Sequence, residues 1–261
     1  MTTRTEATSH PRDRFLLTDK VAFVTGGSRG LGKEMVLAFA EAGAHVVIVS
    51  RKIDNCIALA SQIEAATDRQ AMPIACNVSN WDDIDQAVDA AYERFGRIDI
   101  LVNNAGMSPI YDSLAEHTEA LYDKVFGVNL KGPFRLMATV GTKMAEGAGG
   151  SIINVSSSGA IHPNATIIPY AAAKSGLNTM TVGFSRAFGP TVRVNCIMAG
   201  PFLTDIADAW DLAAVTAAMK STFSMQRPGN PHEVVGAALY FASDASSWTT
   251  GTVLPVDGGM H

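Results

Sequence analysis

The sequence predicts an α/β fold, a doubly wound parallel sheet of about seven strands flanked by helices. Three observations predict it. Short runs rich in Val and Ile recur at fairly even intervals along the 261 residues. Most runs are apolar throughout instead of alternating, which is how a strand reads when both of its faces are covered. Segments with helical spacing separate them, so strand and helix alternate and repeated right-handed βαβ units follow.

The elements follow in chain order. Residues 1–14 are polar, carry no apolar run and include Pro11, so they fit neither a signal peptide nor a membrane span and read as a flexible tail. Val21 to Val24 is the first strand, and a glycine-rich turn leads from it into a helix over Leu31 to Ala42. Val46 to Val49 and the weaker run Met72 to Ala75 supply the next two strands. Helical segments over Ile84 to Phe95, Leu121 to Met144, Tyr170 to Phe188 and Glu233 to Phe241 then alternate with strands over Ile98 to Val102, Ile152 to Val155, Val192 to Ile197 and Thr252 to Val256. The stretch Phe202 to Asn230 lacks a strand. Its Ile206, Trp210, Ala213, Val215, Met219 and Phe223 suggest one or two amphipathic helices, read as a substrate lid at about 202–230. No repeat or low-complexity linker divides the chain, and 15–261 is expected to form a single domain.

Hydrophobic residues make up 47% and charged residues 17%, which excludes a disordered chain. The formal net charge is −5 and no run of Lys or Arg occurs, so neither a nucleic-acid nor a membrane partner is expected. Cys56, Cys76 and Cys196 lie far apart without a CxxC pair, which argues against a disulfide scaffold and a thiolate metal site and suits the cytoplasm.

The chemistry should lie just after each strand, because open α/β sheets bind ligands beyond the carboxyl ends of their strands. After the first strand comes Thr25-Gly26-Gly27-Ser28-Arg29-Gly30-Leu31-Gly32. Glycines there permit a tight turn and close approach of backbone to a pyrophosphate, whose charge the free amides of a helix start favour. Gly27 to Lys33 also satisfies GxxxxGK of a phosphate-binding P-loop, but Glu34 stands where that loop needs a magnesium-binding hydroxyl, so a dinucleotide is preferred. The second strand ends in Ser50-Arg51-Lys52 rather than in the Asp or Glu that would accept from a ribose 2′-hydroxyl. Two cations and a hydroxyl, joined by Arg29, suit a 2′-phosphate dianion and favour NADP(H) over NAD(H).

Tyr170 and Lys174 are four apart in a helical segment and share a face. An adjacent ammonium, together with a cationic oxidised nicotinamide, would stabilise the phenolate and lower the tyrosine pKa, making Tyr170 an acid or base near neutral pH.

Together these motifs resemble the short-chain dehydrogenase/reductase family, in its single-domain branch, over about Leu16 to Met260. TGxxxGxG is matched by Thr25, Gly26, Gly30 and Gly32, NNAG by Asn103-Asn104-Ala105-Gly106, and YxxxK by Tyr170 and Lys174. The resemblance implies a Rossmann sheet and a catalytic tetrad of Asn129, Ser157, Tyr170 and Lys174. In it Ser157 bonds the substrate oxygen, Tyr170 exchanges its proton, Lys174 holds the nicotinamide ribose and Asn129 anchors a relay water. It further implies cofactor contacts from Ser28, Leu31, Asn77, Val78, Asn103, Ala105, Gly106, Gly200 and Thr204, and assembly as a homotetramer or homodimer. Three departures stand out. Asn77 replaces the usual Asp, Ala199-Gly200-Pro201 replaces Pro-Gly, and Ala187 replaces a glutamate.

The expected activity is hydride transfer between NADP(H) and a carbonyl or secondary alcohol of a small molecule. A nucleotide-binding sensor on the same fold is the alternative. His162, Asn164, Met107, Tyr111 and Trp210 flank the implied substrate cleft, and Lys220 and Arg227 could meet an anionic group, but each is equally readable as packing or solvated surface.

Overall fold

The structure, a computed structural model, describes residues 10–109, 111, 113–205 and 212–260, the side chains of 212–215 excepted. Seven strands form the expected sheet: β1 (Val21–Thr25), β2 (His45–Ser50), β3 (Ala71–Ala75), β4 (Ile100–Asn103), β5 (Gly150–Ser157), β6 (Val192–Ala199) and β7 (Val253–Val256). They lie in the order β3-β2-β1-β4-β5-β6-β7, and every neighbouring pair is parallel. The chain winds outward from β1 in both directions, so the crevice between β1 and β4 is the switch point where such sheets bind ligands.

The apolar runs are explained by two cores, one on each face. Ala22 and Val24 of β1 pack with Met35, Phe39, Ile48 and Phe241 on one face. Val21 and Phe23 pack with Val47, Val88, Leu136 and Leu177 on the other. Successive residues of a strand point to opposite faces, so a sheet covered on both sides needs apolar side chains at every position.

The helices are α1 (Gly30–Glu41), α2 (Ile53–Ala66), α3 (Trp81–Phe95), α4 (Glu119–Phe126), α5 (Gly132–Glu146), α6 (Ile168–Phe188), α7 (Leu212–Thr222) and α8 (Val235–Ala242). Helix α2 is absent from the sequence reading, although Cys56, Leu59, Ala60 and Ile63 bury one face at helical spacing. The single helix expected over Leu121 to Met144 is instead α4 and α5 joined by a π turn, Gly127–Lys131. Two close approaches surround this turn. A Cβ on Gly127 would stand 3.0 Å from Ser79 Cβ, and one on Gly132 would stand 2.1 Å from the Val78 carbonyl oxygen. The helix meets the turn after β3 backbone to backbone.

In the stretch read as a lid, Met219 of α7 and Phe223 just after it are both buried. Ile206 and Trp210 lie outside the described residues, as do the side chains of Ala213 and Val215. The end of α7 is tied to the C-terminal segment, Ser224 N donating to Gly259 O (3.0 Å) and Met225 N to Gly258 O (2.9 Å). Cys56, Cys76 and Cys196 are free and buried. Among the described residues no helix is long and apolar enough to cross a membrane, and no group of His, Cys, Asp and Glu could hold a metal ion.

Candidate active site

The site is assembled at the carboxyl ends of the strands. At the end of β1, Thr25 Oγ1 donates to Val102 O (3.1 Å) and accepts from the amides of Asn104 (3.0 Å) and Ala105 (3.1 Å). Asn104 answers with its side-chain amide, which donates to Thr25 O (3.0 Å) and Gly26 O (3.1 Å). The loops after β1 and β4 are thereby locked together.

Between them the glycines have steric reasons. Gly26 has φ +63° and a Cβ there would stand 2.8 Å from Asn104 Nδ2, while a Cβ on Gly32 would lie 2.2 Å from Gly26 O. Gly30, at φ +52°, faces Thr204, whose Cγ2 would be 3.3 Å from a Cβ on Gly30. Bare backbone at the start of α1 and Thr204 beyond β6 thus stand opposite each other. These residues fit a dinucleotide: the loop has little side-chain bulk and opens a helix.

At the adenosine end, Ser28 and Ser50 both lie beside the Cys56 thiol, whose pKa burial raises. The glycine loop and the end of β2 therefore meet. Arg51 and Lys52 are exposed beside them, and Lys52 N donates to Ser50 Oγ (3.4 Å). Arg29 is also exposed, paired with Asp205. Leu31 is half-buried against the core. Asn77 uses its side-chain oxygen on Ser79 N (3.3 Å) and Oγ (2.8 Å), shaping the turn into α3, with Val78 buried behind it. Asn103 is 1% exposed; its side-chain amide donates to Asn154 (2.8 Å) inside the sheet, while its side-chain oxygen is buried without a hydrogen-bond partner. Gly200 is required where it stands, since a Cβ would lie 2.6 Å from Asp257 Cα.

At the chemical end, β5 delivers Ser157 and the first turn of α6 delivers Tyr170. Their side chains are neighbours, the Ser157 hydroxyl standing where it favours the Tyr170 phenolate, and Ser157 Oγ accepts from Gly159 N (3.1 Å). A Cβ on Gly159 would lie 3.3 Å from Ser157 Oγ, 3.9 Å from Tyr170 Cε1 and 2.9 Å from Ile167 Cδ1. One turn along α6, Lys174 is 3% exposed. Its ammonium stands 5.8 Å from the Tyr170 ring centroid and donates to Val155 O (2.7 Å). Gly106 completes the cluster: a Cβ there would be 3.1 Å from Asn129 Oδ1 and 3.6 Å from Lys174 Nζ.

Asn129 is fully buried in the π turn. Its side chain accepts from Met107 N (3.2 Å) and donates to Met107 O (2.9 Å) and Val125 O (2.8 Å). With the side chain committed, a water-anchoring role would fall to its carbonyl.

Burial raises the Tyr170 pKa, with the Ser157 hydroxyl acting the other way, and burial lowers Lys174 to about 8. The ammonium expected to lower Tyr170 is itself disfavoured by desolvation, so the protein groups alone do not bring the phenol down.

The substrate-side candidates are mostly occupied elsewhere. Tyr111 donates to Ala165 O (2.7 Å) and accepts from Ile168 N (3.3 Å). Asn164 caps its own turn through Thr166, and His162 is exposed. Arg227 forms a bidentate pair with Glu233, which it holds down at about 2. Sequence reasoning missed Asn104, Ile167 and Asp205. Asn104 stood inside the quoted NNAG; the other two carry no local signal.

A family model described as enoyl-(acyl carrier protein) reductase matches residues 15–261. The chain belongs to the short-chain dehydrogenase/reductase family. It is 36% identical over 246 residues to a 3-oxoacyl-(acyl-carrier-protein) reductase of Thermotoga maritima, covering 94% of this chain and 98% of the relative. Among solved structures, a 7α-hydroxysteroid dehydrogenase complexed with NADH and 7-oxo glycochenodeoxycholic acid superposes with TM-score 0.91 at 29% identity, covering 97% of this chain and 98% of that one. An NADPH-dependent 3-quinuclidinone reductase of Rhodotorula rubra gives TM-score 0.90 at 27% identity, covering 99% and 98%. As a short-chain dehydrogenase/reductase, the chain is an oxidoreductase on a Rossmann-like sheet, in a family whose structural neighbours include NADH and NADPH users.

Proposed function

We propose that this oxidoreductase moves hydride between NADP(H) and a carbonyl or secondary alcohol of a small molecule, with Tyr170 as acid and base. The observation that carries the proposal is the convergence of Ser157, Tyr170, Lys174 and Asn129 beside Gly106. Bound nicotinamide would supply or accept the hydride. Ser157 donates a hydrogen bond to the substrate oxygen, and Tyr170 gives that oxygen a proton on reduction or takes it on oxidation. Lys174 holds the ribose, and its charge together with a cationic nicotinamide brings Tyr170 into working range.

The cofactor is held by Thr25, Gly26, Ser28, Gly30, Leu31, Gly32, Asn77, Val78, Asn103, Ala105, Gly106, Gly200 and Thr204. Arg29, Ser50, Arg51 and Lys52 form the corner that receives the 2′-phosphate and so favour NADP(H) over NAD(H). Residues 15–261 act as one domain, with 202–230 as a lid whose buried Met219 and Phe223 support a partly apolar substrate. A homotetramer or homodimer in the cytoplasm completes the proposal, consistent with three buried free thiols.

The test is NADPH absorbance against ketones, sugar acids and acyl thioesters. Tyr170→Phe is expected to lower kcat by about 10²- to 10⁴-fold with cofactor binding kept; full activity in that variant would remove Tyr170 as proton donor. Nicotinamide binding without turnover across a broad panel would favour the sensor reading.

A further inference from the structure

Arg29 Nη1 lies 3.3 Å from Asp205 Oδ2, an ion pair that joins the glycine-rich loop to the stretch after β6. The two side chains are 61% and 54% exposed, so the pair is screened and weak. Its position gives it importance. Asp205 follows Thr204, whose side chain packs close against Gly30 of the glycine-rich loop. Arg29 follows Ser28, which lies beside the same Cys56 side chain as Ser50. Arg29 therefore stands between an anion built into the chain and the corner where a cofactor would bring one.

Building on the reading that the Arg29, Ser50 and Arg51 corner receives a 2′-phosphate, we propose that Asp205 determines cofactor specificity by competing for Arg29. A phosphate group carries a charge of about −1.5 to −2 at neutral pH and three acceptor oxygens, so it takes the guanidinium from a single exposed carboxylate. The exchange is not free, because the Asp205 pair must open first. NAD(H) has no phosphate at that position, makes no exchange, and is indifferent to whether Asp205 holds Arg29. The acid thus sets a ceiling on NADP(H) affinity and narrows the preference that the cationic corner creates. Its placement beside Thr204 also means that 2′-phosphate binding frees a carboxylate at the nicotinamide end of the groove.

Dissociation constants for NADPH and NADH, measured calorimetrically on the full chain at fixed ionic strength, test this in the parent, Asp205→Asn, Arg29→Gln and the double variant. Asp205→Asn is expected to bind NADPH about three- to fivefold tighter, the scale of an exposed ion pair, with NADH unchanged. In the Arg29→Gln background the same substitution is expected to have no effect. Unchanged or weaker NADPH binding in Asp205→Asn overturns the inference. Equal tightening of both cofactors also overturns it, because that marks general relief of charge repulsion. Arg51→Asp separates the underlying reading. If it abolishes the NADPH preference while Asp205→Asn is silent, only the role of Asp205 falls. If it weakens both cofactors equally, the corner does not read the phosphate and both readings fall.

Discussion

Lys174 shows how a single side chain can serve the site at the expense of the fold. Its ammonium is buried, keeps one backbone partner in Val155 and titrates near 8 instead of 10.5. Below pH 8 both folded and unfolded chains carry the proton, and folding bears the full cost of burying the charge. Between about 8 and 10.5 the unfolded chain binds more protons than the folded one, so that cost disappears as pH rises. Lys174→Met is therefore expected to be more stable than the parent at pH 7, by an amount that shrinks by on the order of 3 kcal/mol as pH rises to 10.5. Urea unfolding of both proteins across that range checks it, and a pH-independent difference would refute the buried-charge account. The Tyr170 and Lys174 pair was legible in the sequence because four-residue spacing on a helix fixes adjacency. The raised Tyr170 pKa was not legible, since it depends on burial that only the packed loops create.

Elements were legible in proportion to how local their causes are. The strands announce themselves because two covered faces leave no polar position. Helix α2 carries its own pattern in Cys56, Leu59, Ala60 and Ile63, and could have been read from it. The π turn carries none. Its setting is the approach to Val78 and Ser79, distant in sequence and brought close only by the sheet. Gly132 is the sharpest point of that approach. Gly132→Ala would place a methyl 2.1 Å from a backbone oxygen that no rotamer change can move aside. We expect a loss of about 1–3 kcal/mol in unfolding free energy, together with a fall in kcat, because Asn129 shifts with the turn while Tyr170 is untouched. Parental stability and kcat in this variant would show that the two backbones part without disturbing the site.

On the scale of the whole molecule, the proposed cofactor groove crosses the strand order rather than following the chain. Ser50 ends β2, the glycine loop follows β1, Asn103 ends β4 with Asn104 to Gly106 after it, Ser157 ends β5 and Thr204 lies beyond β6. Segments far apart in sequence thus depend on one bound molecule, and winding outward from β1 places them side by side. Alternating strands and helices made this arrangement readable in advance. Subunit assembly was not readable in the same way, because it depends on surfaces whose partner is another copy. A ligand that bridges several strand ends and binds only the folded chain should stabilise the molecule as a unit. At a hundredfold excess over its dissociation constant, NADPH is expected to add about 2.7 kcal/mol. For a chain of this size that corresponds to a rise of about 5–10 °C in Tm. NADH at the same concentration should give a clearly smaller rise, because it brings no phosphate to Arg51 and leaves Arg29 with Asp205 alone. Thermal melts at matched ionic strength measure both, and equal shifts would mean that the groove does not distinguish the two cofactors.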